Sequence, residues 1–168
     1  MIHRHIQIRK TKNTGLGLFA VNSIQKGEVI WSRDGLVSRH YTKEELSTLD
    51  PKYALLSYWD GVAFTIDQND PGNYMNHSCT PNTWWSDDAL IARHILNSGD
   101  EITYDYSSTD IYGINGSDSL LCRCGSPQCR TTIYSDDLLR LKRLRFIYRN
   151  HLPSYTKKWL SDHGFEID

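Results

Sequence analysis

The chain carries four cysteines, and three of them fall within eight residues, "CRCGSPQC", as Cys122, Cys124 and Cys129. The fourth, Cys79, stands far upstream in "NHSCTPN", residues 76–82. Reduced thiols at C-x-C-x4-C spacing favour a metal over disulfides. Three thiolates can take three corners of a tetrahedral zinc, each about 2.3 Å from the ion, and leave one open. On spacing alone, a zinc site made of all four cysteines is the favoured reading. The seven histidines compete for the open corner, and unligated structural cysteines are the alternative.

The elements that must position these groups can be read from pattern. A length of 168 residues fits one domain with a tail. Lys plus Arg number 19 against 20 Asp plus Glu, so no global field recruits nucleic acid or an anionic membrane. No apolar run is long enough to span a membrane, and "MIHRHIQIRK" lacks a secretory apolar segment, so the expectation is a soluble protein of a reducing, intracellular compartment without targeting signals. Residues 4–31 alternate short apolar runs with Gly turns and predict two or three strands. Thr42 followed by Glu45 signals a capped short helix that Pro51 stops. Residues 53–67 predict a hairpin turning at Asp60-Gly61. "WWSDDALIARHIL" predicts a strand pair, and "EITYDY" a further strand. Beyond it, Ser135, Asp136 and Asp137 open a predicted helix over 135–151, with Leu138, Leu141, Leu144 and Ile147 on its apolar face. Its other faces carry Arg140, Lys142, Arg143, Arg145 and Arg149, read first as a solvated surface. A second helix is predicted over "SYTKKWLSDH", ending at Gly164. The fold class expected is mainly β with short helices.

Four motifs, in order, resemble the SET-domain protein lysine methyltransferases with a cysteine-rich post-SET segment. They are "GLGLFA" from Gly15 to Ala20, "NHSCTPN", "GDEITYDY" at 99–106, and "CRCGSPQCR". The resemblance runs from about residue 4 to 133. It implies small β-sheets around a pseudoknot-like crossing of the "NHSC" and "EITYDY" segments, a zinc-bound post-SET lid that Cys79 tethers to the core, and a C-terminal helical extension. The organisation expected is a SET domain over 1–110, the zinc segment over 111–133 and the extension over 134–168.

The resemblance also implies a chemistry: methyl transfer from S-adenosylmethionine to the side-chain amine of a lysine in a histone or other basic protein, mainly monomethylation. Gly15, Leu16 and Gly17 would let the backbone approach the cofactor closely. Asn76 would contribute its side chain, and His77 mainly its backbone. The family pattern has a basic residue three positions before the Asn; here Asn73 stands there, which removes the charge-assisted part of a contact to the cofactor carboxylate unless Arg33 or Arg39 compensates. Tyr106 matches the catalytic tyrosine, Tyr104 the position that governs how many methyls are added, and Tyr58 or Tyr53 would line the lysine channel. Asp105 is read as structural, facing away by strand alternation. Two other readings remain: an inactive SET-fold module that binds peptide or cofactor, and a zinc-dependent nucleic-acid binder using the basic helix. Nucleic acid would otherwise be involved only indirectly, and the sequence does not specify an oligomeric state.

Overall fold

Gly15 adopts φ +86°, which L side chains rarely take, and turns the chain from β1 (Ile6–Lys10) into β2 (Leu16–Ala20). The turn closes with the Thr11 N–H donating to Gly15 O. The computed structural model in which this is seen describes residues 1–32, 39–42, 44–45, 48, 57–59, 64–66, 69–111 and 117–165. β2 pairs antiparallel with β10 (Glu101–Tyr104), and β10 pairs in parallel with β7 (Asn76–His77). The sheet order is β1-β2-β10-β7. "NHSC" and "EITYDY" therefore lie side by side, with Thr103 opposite Asn76 and Tyr104 opposite His77. Asn82, the last residue of "NHSCTPN", bolts the two segments together: its Oδ1 accepts from Thr103 N at 2.9 Å and its Nδ2 donates to Glu101 O at 2.8 Å.

A second sheet, ordered β3-β9-β8, contains β3 (Val29–Ser32) and the predicted strand pair, β8 (Thr83–Ser86) with β9 (Ala89–Ala92). Leu18, Ile24, Ile30, Leu96 and Ile102 fill the space between the sheets and are fully buried. Alternation then sends Glu101 and Thr103 to the opposite face of β10, towards Asn76. The third sheet holds β4 (Arg39–Tyr41), β6 (Phe64–Ile66) and β5 (Ser57–Trp59). Its β5–β6 pairing is the predicted hairpin, although the turn at Asp60-Gly61 lies outside the described residues. The predicted capping box is present: Glu45 Oε2 accepts from Thr42 N, and Thr42 Oγ1 from Glu45 N. β11 (Ser119–Leu121) and β12 (Thr132–Tyr134) flank the cysteine segment. Among the described residues, no helix is long and apolar enough to cross a membrane.

Two expectations need correction. The helix over 135–151 is broken into α1 (Asp137–Arg140) and α2 (Lys142–Tyr148), with Leu141 extended between them at φ −114°, ψ 93°. The physical reason is Arg145, whose Nη1 donates to Leu138 O at 2.6 Å and Leu139 O at 2.8 Å, satisfying carbonyls that a continuous helix would have bonded itself. Leu141 and Ile147 are each 37% exposed; Leu138, Leu144 and Tyr148 form the buried face instead. They pack with Ile111, Leu152, Trp159 and Leu160 into a second core that includes α3 (Ser154–Asp162), the second predicted helix, which ends before Gly164 at φ +80°. The other correction concerns "EITYDY": the strand stops at Tyr104, and Asp105 caps a 3-10 turn, Tyr106–Ser108, by accepting from Ser107 N at 3.1 Å. Asp105 is structural because it caps and pairs, not because a strand continues through it.

Candidate active site and cysteine cluster

Because β10 ends where the 3-10 turn begins, Tyr104 and Tyr106 project close together, with ring centroids 4.9 Å apart. The Tyr106 hydroxyl donates to Met75 O at 3.1 Å, and its N–H donates to His77 Nδ1 at 3.2 Å. Its ring meets the His77 ring edge-on at 5.3 Å. Burial, and next the nearby Asp110, push both phenols above their ordinary range, so both carry their protons at neutral pH. Asp110 is itself pushed up to about 7 by burial, with a further contribution from Asp105.

The His77 ring faces inward. Since Nδ1 accepts from the Tyr106 N–H, the proton of the neutral imidazole sits on Nε2, which points at Cys79 Sγ 3.2 Å away. Burial lowers the His77 pKa to about 4, against an opposing pull from Asp105, so the ring is neutral. Asn76 uses both amide hydrogens within the protein: Nδ2 donates to Leu16 O at 3.0 Å and to Glu101 Oε1 at 2.8 Å. Gly17 lies directly beneath this pair. A Cβ there would sit 2.7 Å from Glu101 Oε1 and 2.9 Å from Asn76 Nδ2. Asn73 lies in a 3-10 turn, Pro71–Tyr74, which is fixed by Asp70: the Asp70 carboxylate accepts from Gly72 N and from Trp31 Nε1 at 3.0 Å.

The structure brings Cys79 onto the C-terminal cluster. Its Sγ is 3.8 Å from that of Cys122, and one donor atom each from His77, Cys79, Cys122 and Cys124 lies within 4.8 Å of the others. A tetrahedron of thiolates about 2.3 Å from zinc has edges of about 3.8 Å, so the donor set fits a zinc. Cys129 is joined to the same segment through its Sγ, which donates to Cys122 O at 3.8 Å. Backbone N–H groups of Arg130 and Thr131 point at the sulfurs of Cys79 and Cys129. Burial pushes the thiols of Cys79 and Cys122 up. At Cys124, hydrogen bonds from backbone and neighbouring thiols outweigh burial and bring the pKa down to about 7. A cation in their midst is what would deprotonate all four. The four-atom group contains His77 and not Cys129, so the expected all-cysteine set is not the one drawn together: beside Cys79, Cys122 and Cys124, the fourth corner lies between His77 Nε2, 3.2 Å from Cys79 Sγ, and Cys129.

Directly behind the Tyr106 turn, the Arg130 side chain is buried in an ionic hub. Its Nη2 lies 2.6 Å from Asp105 Oδ1 and its Nη1 3.3 Å from Asp137 Oδ2. Tyr148 donates to Asp105 Oδ2 at 3.0 Å, and Asp137 Oδ2 accepts from Tyr134 N. Sequence reasoning assigned no role to Glu101, Asp110, Arg130 or Tyr148. Glu101 and Arg130 were in view as motif letters, but their partners lie across strand register or 25 residues away. Of the residues predicted to line the channel, Tyr58 is described only through its backbone pairing with Thr65, and Tyr53 lies outside the described residues. Arg33 also lies outside them, and Arg39 is described only as pairing with Ile66.

The SET domain family model matches residues 15–107. The chain is 26% identical over 175 residues to a histone-lysine N-methyltransferase specific for H3 lysine 36 from Candida albicans, covering 94% of this chain and 20% of that protein. To an H3 lysine-4 specific enzyme of Mycosarcoma maydis it is 28% identical over 147 residues, 76% of this chain and 10% of that one. To an H3 lysine-9 specific Arabidopsis thaliana enzyme, SUVH5, it is 29% identical over 147 residues, 77% and 18%. The chain thus spans a fifth or less of the length of each of these three relatives.

Proposed function

The chain belongs to the SET-domain family, and from that premise we propose that it transfers methyl from S-adenosylmethionine to the side-chain amine of a lysine in a protein substrate. The observation that carries the reading is the convergence of Tyr106, Asn76 and His77 where β7 and β10 run side by side. The named lysines of the three relatives differ, so no one lysine is carried over to this chain. Histones and other basic proteins are the substrate class, and residues 1–110, 111–133 and 134–168 are read as catalytic domain, cysteine-rich lid and helical extension.

The cofactor supplies an activated methyl on a sulfonium. The chain's own contribution is alignment. Gly15, Leu16 and Gly17 offer backbone to the cofactor, together with Asn73, Asn76 and the His77 backbone. The Tyr106 hydroxyl, its proton directed to Met75 O, keeps its oxygen lone pairs for the incoming groups. Lysine must arrive as the free base although its reference pKa is about 10.4; a dry channel beside Tyr104 and Tyr106, with Tyr58 or Tyr53 as the further lining residue that the family resemblance implies, would disfavour the charged form. Cys79, Cys122, Cys124 and Cys129 would hold a structural zinc that fixes the lid.

Incubation with the cofactor and core histones or a cell extract, read by mass spectrometry, tests the proposal. Methylated lysines are expected, with monomethyl-lysine predominant. Cofactor binding with no methylated lysine in either mixture would leave a binding module instead of an enzyme.

A further inference from the structure

The hydrogen-bonding inventory beside Gly17 is one-sided. Both Asn76 amide hydrogens are engaged by acceptors, Leu16 O and Glu101 Oε1, and that fixes which end of the amide is nitrogen. What remains is Asn76 Oδ1, Glu101 Oε2 and the second lone pair of Leu16 O, all acceptors. Among the described residues Glu101 forms no ion pair. Its position is built: Glu101 lies opposite Phe19 on β2, on the face away from the buried Ile102 and Leu18, and reaches Asn76 across Gly17, where a Cβ would crowd the side chains of Glu101, Asn76 and Thr11. An acceptor-only cluster with one net negative charge cannot take a carboxylate. It matches a group with several N–H donors and a positive charge.

We propose that Glu101 is a cofactor-binding residue that takes the α-ammonium of S-adenosylmethionine, with Asn76 Oδ1 as a second acceptor. The assignment rests on the methyltransferase reading above and adds to it a residue and the cofactor group that residue recognises. It also gives Gly17 a reason: a side chain there would push Glu101 and Asn76 apart.

Calorimetric titration of the full chain, with its metal in place, separates the alternatives. The probes are S-adenosylmethionine, S-adenosylhomocysteine, the desamino analogue of S-adenosylhomocysteine, and methylthioadenosine, which lacks the amino-acid end. Glu101→Gln keeps an acceptor for Asn76 and removes the charge. It is expected to weaken S-adenosylmethionine and S-adenosylhomocysteine alike, by about ten- to a hundredfold, the range of a charge-assisted hydrogen bond, and to leave methylthioadenosine unchanged. On the unaltered protein the desamino analogue should lose the same factor relative to S-adenosylhomocysteine. On Glu101→Gln it should lose little more, because the two changes remove one interaction. The assignment fails if the variant binds S-adenosylhomocysteine as wild type does, if the loss is confined to the sulfonium form, or if methylthioadenosine weakens equally. Should the variant not fold, the desamino comparison on the unaltered chain decides alone. Failure of the unaltered chain to bind any of the four would overturn the methyltransferase reading itself, a result distinct from all of these.

Discussion

Glu101 and Asp105 sit four residues apart at the two ends of one segment, and their carboxylates have opposite surroundings. Asp105 is buried and saturated, with Arg130, the Tyr148 hydroxyl and the Ser107 N–H as partners and the His77 ring within 3.5 Å. Glu101, only partly buried, has one amide hydrogen from Asn76. The difference separates two uses of the same charge. At Asp105 it holds together three parts of the chain: the Tyr106 turn, the cysteine segment that ends at Arg130, and the helices that bring Asp137 and Tyr148. At Glu101, on the face proposed to meet the cofactor, it is left available for a ligand. Asp110 stands between these cases, with the Thr109 hydroxyl as hydrogen-bond partner at 3.2 Å.

The sharpest way to break the comparison is Arg130→Met. A cation removed from a buried pair leaves Asp105 uncompensated, which costs about 3–5 kcal/mol. Urea unfolding should show that loss, and Asp105→Asn added to the same chain should recover part of it. Glu101→Gln, with no cation to orphan, should change stability by under about 1 kcal/mol. Equal losses at the two positions would erase the distinction drawn here. Next in size is Tyr106→Phe, which removes an aligned hydroxyl without altering either carboxylate. Turnover should fall by about two to three orders of magnitude while cofactor affinity holds. Loss of cofactor binding instead would make Tyr106 a structural tyrosine.

How much of this was legible in the sequence follows from how local each cause is. The strand pairs, the Thr42–Glu45 capping box and the α3 helix depend on neighbours within a few residues and were read correctly. So was the meeting of Cys79 with Cys122, through the resemblance, since spacing alone left histidines and unligated thiols open. The break at Leu141 was not legible, because its cause is where the Arg145 guanidinium folds back. Glu101 and Asp105 look alike as letters; only the register of β2 against β10, and Arg130 arriving from 25 residues away, tell them apart.

Asp110 supplies a smaller, pH-dependent test. Its pKa is raised by burial from an ordinary 3.8 to about 7, so between about pH 4 and about pH 7 the folded chain binds the proton and the unfolded chain does not. Stability must therefore fall as pH rises through that window. Asp110→Asn should remove that part of the slope, seen as thermal midpoints that differ from wild type more at pH 8 than at pH 4. If the difference is constant with pH, the group is ionised in the folded protein, and Asp110 belongs with Glu101 as an available charge.

The smallest effect expected is at Tyr104, the position that the proposed function gives control over the number of methyls added. A second transfer requires an already methylated nitrogen to turn its lone pair to the cofactor, so the first methyl needs room and the Tyr104 hydroxyl must release its hydrogen bond. That release costs about 0.5–1.5 kcal/mol, and about 1.4 kcal/mol is a tenfold difference in rate. Burial and Asp110 both keep the Tyr104 phenol protonated, and its ring is held 4.9 Å from that of Tyr106, so the hydroxyl is present and placed. Tyr104→Phe should raise the ratio of second to first transfer by up to about tenfold, with the first transfer changed less, as time-resolved mass spectrometry of a substrate peptide would show. Abundant trimethyl-lysine from the unaltered chain would remove Tyr104 from this role. The channel would then be wide enough that neither the hydroxyl nor the carboxyl of Asp110 near it limits the product.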